Sequence, residues 1–507
     1  MANYFYITTP IYYVNDIPHI GHAYTTLACD VMARFKRLEG FQVKFLTGTD
    51  EHGQKVERAA NNENLTPINF ADKVSENFRS LTSILNFSND DFIRTTEKRH
   101  QLACTEIWNL LYKEGHIYLD KYSGWYAVKD EAFYAESEII NGKAPTGADV
   151  QWVEEPSYFF NLSKWQEPLL EFYENNPNFV LPHKRFNEVK SFVKGGLKDL
   201  SVSRTSFKWG VKVPNDDDHI MYVWLDALTN YLSAVGFPDK NQNSFKNFWP
   251  ANIHIVGKDI LRFHAVYWPA FLMAAKISLP KRIFAHGWWT NEGKKISKSD
   301  GNVIDPIEEK NNFGLDQLRY FLLREVPFGN DGDYSKSSFI SRINGDLSND
   351  LGNLCQRVIS MVYKNFHHHI PSKPKDFSRE DNLIINELNE LYKKVKIKID
   401  NQEFHECLKI IWRLISHANK YIDDQAPWKL KNTDINRMND VLWILIECIR
   451  RIGIMLLPFI PESANKILDQ ISVPKHERHF KHLNINFSLN EQITISNPSA
   501  VFPRYIN

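Results

Sequence analysis

The opening stretch of the chain constrains its fold more than any other. Tyr4 to Thr9 is a β-branched and aromatic run stopped by Pro10, the pattern of a strand. Val14-Asn15-Asp16-Ile17-Pro18 is turn chemistry. From Ile20 to Leu38 the apolar period becomes helical, with Ala23, Leu27, Val31, Met32 and Phe35 on one stripe. Gly40 suits the end of that helix, and Gln42 to Leu46 is a second apolar strand. Strand, helix and strand in so short a span form a βαβ unit. Such a unit implies a parallel sheet with a right-handed crossover.

The sheet pattern breaks off and returns. Helical segments run to about residue 115, and residues 117–215 then change character. They hold many aromatics, turn residues such as Asn141-Gly142, Pro145 and Pro156, and short alternating runs, as an inserted mixed domain would. Parallel-sheet patterns reappear at Met221 to Leu225, Ile253 to Gly257 and Arg282 to His286. From about Gly345 the chain reads as helices, including Leu351 to Lys364, Asp381 to Ile399, Glu403 to Ile422 and Asp440 to Leu457, an expected bundle.

Composition excludes several classes. A length of 507 residues suggests about three domains at roughly 150 residues each. Lys and Arg number 61, as do Asp and Glu, so the chain is no polybasic coat, although a local basic face remains open. Cys29, Cys104, Cys355, Cys407 and Cys448 lie far apart, with no C-x-x-C pair, which fits a reducing compartment and no disulfide framework. The N-terminus has neither a basic start nor a small-residue cleavage site. The most apolar stretch, Val441 to Pro461, contains Glu447, Arg450 and Arg451, so it reads as a buried bundle helix rather than a membrane span. A soluble, cytoplasmic protein is expected.

Two motifs carry chemistry. His19-Ile20-Gly21-His22 opens the first helix. A helix start offers unpaired N–H groups and the positive end of its dipole, which suit phosphate. His19 and His22 share a face, and Gly21 lets a ligand approach the backbone. Lys294-Lys295-Ile296-Ser297-Lys298-Ser299-Asp300-Gly301-Asn302 is a loop able to wrap a triphosphate, its lysines acting as mobile point charges. Each motif alone also fits a plain solvated surface; together they point to a nucleotide.

With these two motifs the chain resembles the class I aminoacyl-tRNA synthetases, and more narrowly the methionyl-tRNA synthetase family. The segments that carry the resemblance are Thr8 to Asn15, Thr47-Gly48-Thr49-Asp50-Glu51-His52-Gly53, Tyr222 to Ala227 and Val256 to Ile260. Phe263-His264, Trp268-Pro269-Ala270, Asn349 to Leu354 and Gln425-Ala426-Pro427-Trp428 extend it over nearly the whole chain.

The resemblance implies an α/β fold: a Rossmann-type parallel sheet split by an inserted connective domain and followed by an α-helical anticodon-binding bundle. The expected divisions are 1–116 and 216–295 for the catalytic halves, 117–215 for the insert, 296–345 for the Lys-Ser loop and stem-contact region, and 346–507 for the bundle. It implies a methionine–tRNA ligase that forms methionyl-adenylate from ATP and charges tRNA(Met) for initiation and elongation. The alternatives are another class I synthetase or a catalytically silent tRNA-binding paralogue. By resemblance, His19, Gly21, His22, Gly257, Asp259, His286, Ile296 and Lys298 meet ATP, and His19, His22, Lys295 and Lys298 serve catalysis. Ile11, Tyr13, Trp224, Ala227, Leu228, Tyr231, Ile260, Phe263, His264 and Trp268 line the methionine pocket, and Asp50 takes the ammonium. Asn353, Arg357 and Trp428 read the anticodon. ATP comes with Mg²⁺. No zinc is expected, because no cysteine lies between Cys104 and Cys355, where related inserts carry a four-cysteine knuckle. His367-His368-His369, read as helical neighbours pointing apart, makes no metal site. No appended dimerisation domain follows, so a monomer without membrane attachment is expected.

Overall fold

A computed structural model describes residues 3–14, 17–130, 132–296 and 301–506. The chain forms two compact units. One comprises Tyr4–Cys29 and Val43–His286; the other comprises Met1–Asn3, Asp30–Gln42 and Gly287–Asn507.

The first unit is built on a seven-stranded sheet. Its strands lie in the order Tyr12–Tyr13, Gln42–Asp50, Tyr4–Thr8, Ile253–Gly257, Ile283–His286 and Val180–Leu181, with Asp91–Arg94 pairing Gln42–Asp50. Tyr4–Thr8 pairs in parallel with Ile253–Gly257, Ile7 opposite Ile253, which joins the two sequence halves edge to edge. Ile253–Gly257 in turn runs parallel to Ile283–His286. Phe5 to Thr8 and all of Ile253–Gly257 are buried, so these strands read as continuous apolar runs rather than alternating ones.

One strand expectation is overturned. Met221 does end a strand, Asp216–Met221, but that strand belongs to a small three-stranded sheet whose pairings are antiparallel. Val223–Ser233 is a helix, not a strand. All 11 of its residues are buried, and the window Met221 to Leu225 stops before Asp226, Thr229, Asn230 and Ser233, which mark the helical period. A short apolar run buried all round cannot be told from a central strand by pattern alone.

The segment after residue 117 supplies the antiparallel strands Ile117–Ala127, Ala132–Tyr134, Gln151–Phe160 and Leu200–Ser201. It also supplies the helices Gln166–Asn175 and His183–Lys194. Between those helices Val180–Leu181 pairs in parallel with Ile283 and Phe284, so this segment extends the main sheet as well.

The second unit is mostly helical. The helices Asn353–Asn365, Arg379–Ile399, Phe404–Gln425, Ile435–Leu456 and Pro461–Gln470 pack together, the other four around the fourth, Ile435–Leu456, which is buried from Val441 onward. The charges on that helix are buried as a set: Glu447 meets Arg450 at 2.7 Å and Arg451 at 2.5 Å. Buried charges survive only when paired in this way. Asp381 joins the second helix to the fourth, accepting from Arg437 at 2.7 Å and from Tyr421 at 2.6 Å. His367, His368 and His369 follow the end of Asn353–Asn365 and are not helical neighbours; His367 and His368 adopt positive φ. The His368 ring stacks on Tyr363 at 3.8 Å. A short sheet of Lys294–Lys295, Trp289–Asn291 and Gly332–Tyr334 completes this unit. Among the described residues no helix is long and apolar enough to cross a membrane.

Candidate active site

The histidine motif sits at the start of the helix Ile20–Leu38. His19 Nδ1 accepts a hydrogen bond from the Gly21 backbone N–H at 3.0 Å, and His22 Nδ1 accepts from the His19 N–H at 3.0 Å. These side chains thus satisfy two of the donors that a helix start leaves orphaned. A nitrogen that accepts from a backbone N–H carries no proton, so in each neutral ring the proton resides on Nε2. Burial lowers the pKa of His19 against a counteracting pull from Asp259. Burial, and then His19, lower that of His22 further. The result is two neutral imidazoles, 4.0 Å between centroids and tilted 40° to one another, each with one N–H left to donate. Gly21 makes room for the His19 ring: a Cβ there would lie 2.9 Å from His19 Cε1, and the ring would have to shift.

The same unit contains a cavity of about 520 Å³, lined by Tyr13, Lys55, Trp224, Asp259, Ile260 and Phe263 among others. Trp224 stacks on Phe263 with centroids 3.7 Å apart and planes 5° apart. Tyr13 meets Trp224 edge-on at 6.4 Å. Tyr231, His264 and Trp268 are buried behind this wall, the Tyr231 ring meeting those of both His264 and Trp268. His264 Nδ1 donates to the Ile260 carbonyl at 3.0 Å, so its Nε2 accepts from the Tyr231 hydroxyl at 2.8 Å. Burial pushes the His264 pKa down to about 4, so the ring is uncharged at neutral pH. Ala227 and Leu228 are buried on the helix Val223–Ser233 beside Trp224. Ile11 packs against the same core from its edge. Tyr13 pairs in register with Asp50 at the end of the strand Gln42–Asp50, where Asp50 is buried.

His264 and Trp268 do not share a regular α-helix. Phe263–Tyr267 is a π-helical turn that feeds the α-helix Trp268–Ala274. Wider turns of this kind often occur at functional sites.

Of the remaining nucleotide candidates, Gly257 ends its strand and Asp259 folds back over it. A Cβ on Gly257 would meet Asp259 Oδ1 at 2.4 Å. His286 Nε2 lies 2.8 Å from the Thr25 hydroxyl. Lys295 lies in the strand Lys294–Lys295, and Ile296 follows it as irregular backbone. Lys298, with Ser297, Ser299 and Asp300, lies outside the described residues.

At the site of the family's knuckle, Tyr134 and Thr146 donate to Asp130, while Lys143 pairs with Asp149 at 2.7 Å. Ala127, Ala144 and Ala148 form a small core there. Hydroxyls and one shared carboxylate are not a thiolate set and do not fit Zn²⁺.

In the helical unit, Asn353 and Arg357 sit one turn apart at the start of Asn353–Asn365. Arg357 pairs with Asp423 at 2.6 Å and lies 5.6 Å over the Trp428 ring. Trp428 is 47% exposed, an unusual state for so large an apolar ring. The left-handed Ala426 (φ 45°) and Pro427 turn the chain sharply just before it.

Sequence reasoning left several residues without roles. His52 and Asp226 lie inside quoted motifs, yet their mutual contact at 2.6 Å was invisible. His100, which meets the other oxygen of Asp226 at 2.7 Å, had no local signal at all. Lys55 Nζ lies 4.7 Å from the Tyr13 ring centroid and lines the cavity; its place just after Gly53 was the available hint.

Comparison with known proteins shows the family of this fold. The family model "tRNA synthetases class I (M)" matches residues 5–151 and 138–359. Fold and site thus define a class I aminoacyl-tRNA synthetase. The model "Anticodon binding domain of methionyl tRNA ligase" matches residues 370–505. The chain is 58% identical to a methionine–tRNA ligase of Rickettsia conorii and 52% identical to one of Brucella suis. The first match covers 100% of both chains; the second covers 99% of this chain and 98% of its relative. The Mycobacterium tuberculosis methionyl-tRNA synthetase solved in complex with methionyl-adenylate superposes with a TM-score of 0.96 at 48% identity, covering 99% of this chain and 100% of that one. The chain belongs to the methionyl-tRNA synthetase family.

Proposed function

We infer that the residues described above carry the two half-reactions of methionine–tRNA ligation. The enzyme activates L-methionine with ATP, giving methionyl-adenylate and pyrophosphate, and then transfers the methionyl group to the 3′ end of tRNA, releasing AMP. In our reading Asp50 takes the substrate ammonium. Tyr13, Trp224, Tyr231, Phe263, His264 and Trp268 accept the thioether, with Ile11, Ala227, Leu228 and Ile260 filling its apolar surround. Sulfur–aromatic contacts contribute about 0.3–1.5 kcal/mol each. An uncharged His264 is part of that fit, since a charge beside an apolar side chain would go unsolvated.

The substrate carboxylate is itself the nucleophile. Its oxygen attacks the α-phosphorus, and the bond from that phosphorus to the pyrophosphate oxygen breaks. The protein's contribution is position and electrostatic stabilisation of the phosphates. His19 and His22 donate from Nε2, and Gly21 admits the nucleotide to the helix start. Lys295 and Lys298 carry the negative charge of the departing pyrophosphate. Gly257 and Asp259 meet the ribose, and His286 with the Ile296 backbone meets the adenine. Mg²⁺ enters with ATP as part of the substrate, held by phosphate oxygens and water. In the second step a terminal ribose hydroxyl attacks the activated carbonyl carbon, and the carbonyl-to-phosphate C–O bond breaks.

We assign catalysis to residues 1–116 and 216–295, with 117–215 inserted between them, 296–345 contacting the tRNA stem, and 346–507 reading the tRNA(Met) anticodon through Asn353, Arg357 and Trp428. Unstacked bases fit an exposed indole and a guanidinium plane. We place the enzyme in the cytoplasm, serving initiation and elongation. We read it as a monomer; light scattering at 59.3 kDa tests this.

The observation that carries the reading is the presence, in one unit, of a neutral imidazole pair at a helix start and a cavity walled by Tyr13, Trp224 and Phe263. A pyrophosphate-exchange screen over the twenty amino acids tests it. Exchange with methionine alone is expected. Exchange with a different amino acid would reassign the specificity, and exchange with none would leave a tRNA-binding protein without activation chemistry.

A further inference from the structure

The methionine pocket has two arms that come from distant sequence: the loop carrying Asp50 and the helix carrying Trp224. One buried carboxylate joins them. Asp226, on the helix Val223–Ser233, is fully buried and spends each oxygen on a different histidine. Oδ2 is 2.6 Å from His52 Nδ1, and Oδ1 is 2.7 Å from His100 Nε2. Burial pushes the Asp226 pKa up, but His52 and His100 together pull it well below the usual carboxylate range. The carboxylate therefore only accepts, and both histidine nitrogens donate.

Each partner is itself held. His52 lies edge-on against Trp209 at 5.4 Å, and Trp209 Nε1 donates to the Glu51 carbonyl at 2.5 Å. The Glu51 carboxylate is buried under Arg94 at 2.6 Å, with Thr49 and Thr96 donating to it as well. His100 also meets Ser233, on the same helix as Asp226, at 2.9 Å. Cys104 Sγ approaches His100 Nε2 at 3.2 Å. His100, Cys104 and Asp226 could in principle ligate an ion. Yet the 2.7 Å between His100 and Asp226 is a hydrogen bond, shorter than the roughly 3.3 Å separating neighbouring ligands of a tetrahedral metal with 2.0–2.2 Å bonds. The cluster is a polar brace.

His52 lies two residues from Asp50, and Asp226 lies two residues from Trp224. We propose that Asp226 is a positioning residue for methionine: held by His52 and His100, it sets the spacing between the ammonium arm at Asp50 and the thioether arm at Trp224. This spacing selects the length of the amino-acid side chain. The inference rests on the assignment of Asp50 and Trp224 to methionine given above.

The test is steady-state pyrophosphate exchange with the full chain, varying methionine and ATP in turn. Asp226→Asn keeps the volume and removes the charge. It is expected to raise KM for methionine at least tenfold and to leave KM for ATP within about twofold. His52→Asn keeps a donor for Asp226 and is expected to hold the methionine KM near the wild-type value, whereas His52→Ala raises it. An unmoved methionine KM in Asp226→Asn, or an equal rise in both KM values, overturns the proposal. Should Asp226→Asn fail to fold by circular dichroism, the His52 pair decides: equal methionine KM in the two variants overturns it, and recovery in His52→Asn alone supports it. Wild-type protein without methionine-dependent exchange would sink the functional reading itself, a result distinct from any of these.

Discussion

His19 and His22 differ from surface histidines in what their Nδ1 atoms do. Each accepts from the backbone, so each ring presents one N–H in a known tautomer without carrying a charge. That arrangement depends on Gly21, and Gly21→Ala is expected to displace the His19 ring. Adenylate formation should fall by about tenfold or more, since 1.36 kcal/mol of lost stabilisation is tenfold in rate. Single-turnover quench measurements check this, and a wild-type rate would refute the role of the motif. Lys298→Ala should slow the same step on the order of a hundredfold, the effect of removing one charge-stabilising group, with methionine affinity by calorimetry unchanged. Trp428→Ala removes a stacking surface contributing about 1–3 kcal/mol per base. Its tRNA charging should drop while pyrophosphate exchange holds; an equal loss in both assays would make Trp428 a packing residue.

At the scale of elements, the helix Val223–Ser233 and the π-helical turn Phe263–Tyr267 bring the aromatic wall together. His264 and His254, which stacks on Tyr231 at 4.1 Å, are buried neutral, which links this region to pH. His264 has a native pKa of about 4 against an ordinary 6.5. Burial, with His264 adding to it, lowers His254 as well. A histidine whose native pKa is depressed binds its proton in the unfolded chain first. Its contribution is complete above about pH 6.5 and is lost as the pH falls toward 4. For His264 the gap corresponds to about 3 kcal/mol. Urea midpoints should therefore drop between pH 7.5 and pH 5, and less steeply in His264→Gln. Parallel pH slopes in the two proteins would show that His264 does not titrate as described.

For the whole molecule, a ligand that binds only the native state raises stability by mass action. Methionyl-adenylate, or a non-hydrolysable analogue, at a hundred times its Kd should add about 2.7 kcal/mol. Calorimetry should show this as a rise in Tm of the full chain, equal in wild type and Trp428→Ala, whose substitution lies in the helical unit. A smaller rise in Trp428→Ala would mean that this residue reaches the pocket. Charge at this scale says little: the 61 basic and 61 acidic residues cancel, and recognition rests on local surfaces such as Arg357 over Trp428.

What the amino-acid order determined unaided was whatever short-range chemistry writes down. The strand Tyr4–Thr8, the helix Ile20–Leu38 and the amphipathic helices of the bundle each announce themselves by period, and the histidine motif by its neighbours. Over a run as short as Met221 to Leu225 a buried helix start carries no period of its own, so that stretch looked like a strand although Val223–Ser233 is a helix. The tertiary fold alone decided which residues meet across long separations. Nothing local in His52, His100 or Asp226 says that they share one carboxylate, because the energy that joins them is the desolvation of a charge in a core the chain has yet to form.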